Sequence, residues 1–103
     1  MLTMKYENLL LELNTTYYIA DEAYKAKQKE LLENELNEFV NSDYIEFLVK
    51  QLRIAASERK SHLELQFLFC ETALQLKTLL ATSTNINVRI AGSYLRLSGW
   101  GLY

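Results

Sequence analysis

The sequence contains no proline, one cysteine, one histidine and three glycines in 103 residues. All three glycines lie at or after Gly92, so the strongest helix breakers are missing from everything before it. The single cysteine, Cys70, excludes an internal disulfide, and its apolar neighbours predict a small buried side chain. One histidine and one cysteine cannot supply the four ligands of a structural zinc site. We therefore predict no metal and no cofactor.

Long hydrophobic runs are also missing. The longest uncharged run, Thr78–Val88, has 11 residues and includes threonine, serine and asparagine, whereas a membrane helix needs about 20 apolar residues. At the amino terminus, Glu7 comes before the apolar region of a signal peptide could begin. These absences predict a cytoplasmic protein without a membrane segment.

Patterns typical of catalysis are missing too. Because no glycine precedes Gly92, a glycine-rich phosphate loop is excluded from most of the chain. His62 has no neighbouring residues that match a nucleophile–base arrangement, and we expect it to be exposed at the start of a helix. The acid-rich stretch 30–38 alternates with apolar residues, which is typical of a solvated helix face. We predict no catalytic residues and no enzymatic activity.

Half of the residues are apolar and 23% are charged, which is typical of a globular protein. We expect a single domain over 1–103, with a helical part over 4–82 and a C-terminal part over 83–103. Charge is unevenly distributed: residues 1–48 carry ten acids and four lysines, a net charge of −6, and the remainder carries seven bases and three acids, a net charge of +4. Either the two halves face each other in one fold, or the basic half meets an acidic or nucleic-acid partner.

The helical part begins with an amphipathic stripe that includes Tyr6, Leu10 and Leu13. It predicts a first helix over about 4–41, either continuous or broken at 14–18, where helix formers are poor. The stripe runs through Tyr6, Leu9, Leu10, Leu13, Tyr17, Ala20 and Tyr24, and resumes at Leu31.

A second helix is predicted over about 43–81, with Asn41 or Ser42 as its cap. It too is either continuous or broken, near 57–61. Segment 63–69 alternates between apolar and polar residues and is therefore also compatible with a strand, but the helical phase of the residues that follow favours a helix.

The segment 85–98 has the pattern of a β-hairpin. Gly92-Ser93 suits the centre of a type II′ turn, in which the first central residue needs a positive φ. Reversal there pairs Ile90 with Leu95 and Arg89 with Arg96. One face then holds only apolar side chains, namely Ile86, Val88, Ile90, Leu95 and Leu97, and the other holds Asn87, Arg89, Ala91, Tyr94, Arg96 and Ser98. The expected fold is α+β and mainly α: a long antiparallel helical hairpin, either continuous or broken into three or four helices, followed by a C-terminal β-hairpin.

This hairpin and the aromatic tail after it supply the candidate binding residues, because two guanidinium groups beside a phenol form a surface for an acidic partner. The alternatives are solvated arginines, or arginines paired with the acidic first helix. The aromatic residues of the tail either close the core or anchor a partner. The candidates for partner binding are Arg89, Arg96, Tyr94, Trp100 and Tyr103, and a secondary basic cluster consists of Arg53, Arg59 and Lys60.

The function these observations favour is a small non-enzymatic protein-interaction module, a regulator, adaptor or inhibitor that occupies a partner surface. A homodimer is expected with it, because long helices and a ribbon leave apolar surface to cover. The alternative is a nucleic-acid-binding protein that uses the basic C-terminal half, although a pI of 5.4 opposes it. In type alone, a small acidic domain of this kind resembles phage-encoded inhibitors and antitoxins.

Overall fold

A computed structural model describes residues 5–101. The described residues form three helices and three strands, so the α+β, mainly helical prediction is confirmed. In chain order the elements are α1 (Leu9–Phe39), α2 (Ser42–Ser57), β1 (His62–Gln66), α3 (Cys70–Ser83), β2 (Asn87–Ala91) and β3 (Tyr94–Ser98). The chain divides into two compact units, one up to Leu31 and one from Leu32 onward.

Helix α1 is continuous, and the break considered at 14–18 does not occur. Within this polar stretch the Thr15 hydroxyl donates to the Leu11 carbonyl oxygen, one turn earlier in the same helix, at 3.0 Å. Asn41 separates α1 from α2, as predicted. Its side-chain amide donates to the Asn37 carbonyl at 2.8 Å, and its Oδ1 accepts from the Tyr44 backbone N–H at 2.8 Å, which caps α2.

The region after α2 is not the helix that the sequence analysis favoured over 63–69. Helix α2 ends when the Arg59 N–H donates to the Ala56 carbonyl and the Lys60 N–H donates to the Ala55 carbonyl, the two bonds of a Schellman motif. Arg59 has the left-handed φ of 65° that this motif requires. The chain leaves the helix there and enters β1, so the helical interpretation of 63–69 is wrong and the strand alternative is correct over 62–66.

The sheet is antiparallel, with the order β1-β3-β2. The β2–β3 hairpin has the predicted register, with Arg89 opposite Arg96 and Ile90 opposite Leu95. Gly92 has a φ of 61°, as the predicted turn needs. The third strand, β1, adds to the free edge of β3, which makes β3 the centre of the sheet.

The core lies between one face of this sheet and helices α2 and α3. Leu95 and Leu97 of β3 are fully buried there, as are Leu76 and Leu80 of α3. Ile90 is half-buried and packs against this core, so the apolar face of the ribbon points inward as predicted. A ribbon of two strands is marginal by itself, and here the added strand and the two helices stabilise it.

Two side chains differ from their predicted environments. Glu35 was expected on a solvated face but is buried, and its carboxylate accepts the backbone N–H groups of Leu68 at 2.8 Å and Phe69 at 3.2 Å. It thereby caps α3, whose own N-cap residue makes no side-chain cap. Cys70 was expected to be buried but is exposed at the first position of α3. The apolar residues around it in sequence do not surround it in space.

Candidate functional site: the outer face of the sheet

The face of the sheet that points away from the core is polar and forms three rows across the strands. We call it the outer face. Each row has one residue from every strand, in the order β1, β3, β2, because both pairings are in register at the same positions of β3. The rows are His62–Ser98–Asn87, Glu64–Arg96–Arg89 and Gln66–Tyr94–Ala91.

The middle row brings the two candidate arginines together. Arg89 and Arg96 are direct cross-strand partners, and both are exposed. Directly opposed like charges destabilise a strand pair, since their Cβ atoms are only about 5 Å apart. Neither guanidinium forms an ion pair within 4 Å with any residue of the range 5–101. The predicted placement of Arg89 opposite Arg96 is therefore present. The alternative, in which these arginines pair with acidic residues, is not seen among residues 5–101.

On the other side of Arg96 the structure places Glu64, a residue that the sequence analysis did not select. Its carboxylate lies 3.8 Å from His62 Nε2. Hydrogen bonding of the Tyr94 hydroxyl to this carboxylate raises the pKa of Tyr94 above its ordinary value, with smaller contributions from burial and from the negative charge. The positive charge of Arg96 acts in the opposite direction. Tyr94 therefore stays a neutral hydrogen-bond donor at physiological pH.

Glu64 was missed because its segment was interpreted as a helix. The alternation in 63–69 was the signal that could have found it, because a strand there places Glu64 on a polar face. What the alternation could not indicate is the partner strand, and only the pairing with β3 brings Glu64 beside Arg96.

The end of the sheet near the turn is held in place by Gln66. Its side-chain amide donates to the Ser93 hydroxyl at 2.8 Å. The next residue, Phe67, donates its backbone N–H to the Ser93 carbonyl at 2.9 Å. These bonds fix the turn to β1, so the outer face stands on a scaffold in which all three strands are tied together.

Trp100, a predicted anchor, lies apart from the two arginines. Its indole N–H donates to the Lys60 carbonyl oxygen at 2.7 Å, and its side chain is half-buried. It thus fixes the chain after β3 to the loop between α2 and β1. This contact favours a role of Trp100 within the fold over a role as an anchor for a partner. Tyr103, the other predicted anchor, lies outside the described residues.

The secondary basic cluster is only partly assembled. Arg59 and Lys60 are exposed loop neighbours, and the Lys60 ammonium pairs with the Glu58 carboxylate at 3.0 Å. Arg53 is exposed on α2 and borders a hollow lined also by Val49 and Lys50. Lys60 borders a different hollow. Arg53 lies on α2 and the other two in the loop after it, so none of the three belongs to the strands that form the outer face.

The chemistry available on the outer face is that of binding. Two adjacent guanidinium groups offer planar donor pairs that match carboxylate or phosphate oxygens. Tyr94 adds an aromatic surface and a hydroxyl, and Glu64 sets a negative border. Among residues 5–101 no group of three or more histidine, cysteine or acidic side chains is arranged to hold a metal ion.

Comparison with known proteins gives no relative from which a role could be transferred. No protein-family model matches the chain, and neither a curated protein nor a solved structure matches it. Within the part of the chain that the structure describes, no helix has the length and apolar character needed to cross a membrane.

Proposed function

We propose that the protein is a small non-enzymatic interaction module that binds an acidic segment of a partner protein through the outer face of its sheet. Its role is that of a regulator, adaptor or inhibitor that occupies a partner surface, and its location is cytoplasmic. The observation that carries the proposal is the Arg89–Arg96 pair. The two like charges face each other across neighbouring strands, and neither guanidinium forms an ion pair within 4 Å among residues 5–101, so a bound anion would relieve their repulsion.

The surroundings of the pair favour a protein carboxylate over a nucleic-acid backbone. Glu64 lies in the same row as both arginines, so a ligand with negative charge along its whole length meets repulsion at one end. The chain carries an overall charge of −2, which further opposes a polyphosphate at long range. A short acidic segment needs only the part of the row that holds Arg96 and Arg89.

The test compares Arg89→Glu/Arg96→Glu with the charge-matched control Lys29→Glu/Lys50→Glu. Both residues of the control are exposed and lie outside the sheet. The probe is a short fluorescent peptide with two adjacent glutamates between neutral residues, and its binding at low salt is followed by fluorescence anisotropy. Because charge-assisted hydrogen bonds contribute about 1.5–3 kcal/mol each, we expect the first variant to bind at least about tenfold more weakly than the wild type. The control is expected to keep nearly wild-type affinity.

Equal losses in both variants would show that only net charge matters, which would contradict a site on the outer face. A parallel panel of single- and double-stranded DNA and RNA tests the alternative. Preferential retention of nucleic acid, lost in Arg89→Glu/Arg96→Glu, would replace the proposed function with nucleic-acid binding. No binding of the peptide by the wild type would reject it.

A further inference from the structure

Strand β2 forms an edge of the sheet. Among residues 5–101 its only strand partner is β3, because the order of the strands is β1-β3-β2. A two-residue turn joins these strands, so Ala91 and Tyr94 exchange two backbone hydrogen bonds, and every second pair after them does the same. Between the bonded pairs, the backbone groups of Val88 and Ile90 point away from β3. Within the same range, no backbone group outside the sheet bonds to them.

A hydrogen bond on the other side of β3 supports this orientation. The Phe67 N–H donates to the Ser93 carbonyl oxygen at 2.9 Å, so this carbonyl faces β1. Backbone groups along a strand point to alternate sides, and Arg96 therefore faces β2 and bonds to its partner Arg89. The two neighbours of Arg89 on β2 must then face outward. Their N–H and C=O groups form a row with which a further strand can pair.

The inner side of this edge is only partly covered. Val88 and Ile90 pack against the core but are half-buried, whereas Leu95 and Leu97 of the central strand are fully buried. Apolar side chains on an added strand would lie beside Val88 and Ile90, because cross-strand neighbours share one face of the sheet. Burial of this apolar surface would favour binding.

The outer side of the same edge is positive. Arg89 is exposed at the centre of β2, and the acidic residue in its row, Glu64, lies two strands away on β1. A carboxylate opposite Arg89 on an added strand would lie on the same face, next to the guanidinium, where charge-assisted hydrogen bonds can form. The charge at the β2 edge therefore complements that of an acidic strand.

The other edge of the sheet, that of β1, has the opposite charge. Glu64 is exposed at the centre of this strand, and an acidic side chain opposite it would be repelled. A second copy of β2 does not suit the β2 edge either, because antiparallel pairing over the full strand places Arg89 opposite Arg89. The charges thus favour an acidic segment of another protein at the β2 edge.

We propose that the acidic segment binds as a fourth strand, added to the free edge of β2. Its apolar side chains lie beside Val88 and Ile90, and its acidic side chains lie on the outer face beside Arg89. This inference rests on the proposed function, to which it adds the conformation of the partner segment, the edge that it occupies and its sequence pattern. That pattern alternates apolar and acidic residues.

The first test compares two short fluorescent peptides of the same composition. Glutamate and valine alternate in one peptide, whereas in the other the glutamates are adjacent to each other. Only alternation places every glutamate on the outer side of an added strand and every valine on the inner side. We expect the alternating peptide to bind at least about tenfold more tightly, because each displaced valine loses its burial. Equal affinities would contradict strand addition.

The second test locates the added strand without any variant. Amide hydrogen exchange of the full chain is measured by NMR with and without the alternating peptide at saturation. Exchange of the Val88 and Ile90 N–H groups should slow at least about fivefold, because each gains an acceptor. The Glu64 N–H faces away from β3 at the opposite edge, so its exchange should stay unchanged. Slower exchange at Glu64 alone would overturn the assignment of the edge.

The third test compares two single substitutions at exposed positions. Neighbouring strands are about 5 Å apart, so an added strand lies about 5 Å from β2 and about 10 Å from β3. Arg89→Gln should therefore weaken binding of the alternating peptide at least about threefold more than Arg96→Gln does. A larger loss in Arg96→Gln than in Arg89→Gln would contradict an added strand beside β2.

Failure of this inference is distinguishable from failure of the proposed function. If neither peptide binds the wild type, both are rejected. If a peptide binds, loses affinity in Arg89→Glu/Arg96→Glu and leaves exchange at Val88 and Ile90 unchanged, the added strand is overturned while the outer face stays the binding site.

Discussion

Glu35 is a buried acidic side chain whose position is explained by the helix that it caps. The N–H of Phe69, the N-cap residue of α3, has no partner within the helix and donates to the Glu35 carboxylate, as does the N–H of Leu68 just before it. A negative charge is favoured there because it meets the positive end of the helix dipole. One acidic residue thereby links the end of α1 to the start of α3.

Replacement of Glu35 by glutamine is expected to lower the free energy of unfolding by about 1–3 kcal/mol, because one backbone donor loses its charged acceptor. The measurement is urea denaturation followed by the fluorescence of Trp100. Glu33→Gln is the matched control, because Glu33 is exposed two residues away on the same helix. Equal effects of the two substitutions would contradict the capping role of Glu35.

Arg59 is a single residue whose backbone conformation is strained. Its φ of 65° belongs to the left-handed region that favours glycine, and its side chain is exposed. Arg59→Gly should therefore raise the free energy of unfolding by about 1 kcal/mol, since an L-residue with a Cβ is strained there. Arg59→Ala keeps the Cβ and should change stability little. If alanine stabilised the fold as much as glycine, backbone strain would not be the cause.

At the scale of elements, the β2–β3 hairpin depends on its turn. An added Cβ at Gly92 would meet no atom within 4 Å, so space does not require glycine there. The φ of 61° does. Gly92→Ala is expected to cost about 1–2 kcal/mol in thermal or urea unfolding, and Gly92→Asn should cost less because asparagine tolerates positive φ better. A neutral Gly92→Ala would show that the turn changes conformation freely.

The elements also differ in how far sequence alone could predict them. The β-hairpin was predicted with its register because the turn and both strands are close in sequence. β1 was ambiguous, because its alternation fits a strand while the helical phase continues on both sides of it. Its pairing partner, β3, begins 28 residues after β1 ends at Gln66, and no local pattern encodes such a pairing.

At the scale of the whole molecule, the buried core and the exposed apolar residues at the start of α1 belong to different units. The buried cluster lies within the unit from Leu32 onward, and Leu76 at its centre is fully buried. This separation predicts that substitutions in the core lower the free energy of unfolding, whereas substitutions of exposed apolar residues at the start of α1 change it little.

Leu76→Ala should lower the free energy of unfolding by about 2–5 kcal/mol, because it leaves a cavity in the core. Leu10→Ala removes an exposed side chain and should change it by less than about 0.5 kcal/mol in dilute protein. Trp100 fluorescence during urea unfolding measures both, because Trp100 is anchored to the unit from Leu32 onward. A large effect of Leu10→Ala in dilute protein would show that Leu10 contributes to that core.

The sequence by itself determined the features that depend on neighbours along the chain: the helical first half, the Asn41 cap, the Gly92 turn and the placement of Arg89 opposite Arg96. Tertiary structure decided the third strand, the burial of Glu35 and the position of Glu64 beside Arg96. The reason is physical. Propensity, capping and alternation act over a few residues, whereas a buried carboxylate or an added strand is stabilised by partners about 30 residues away.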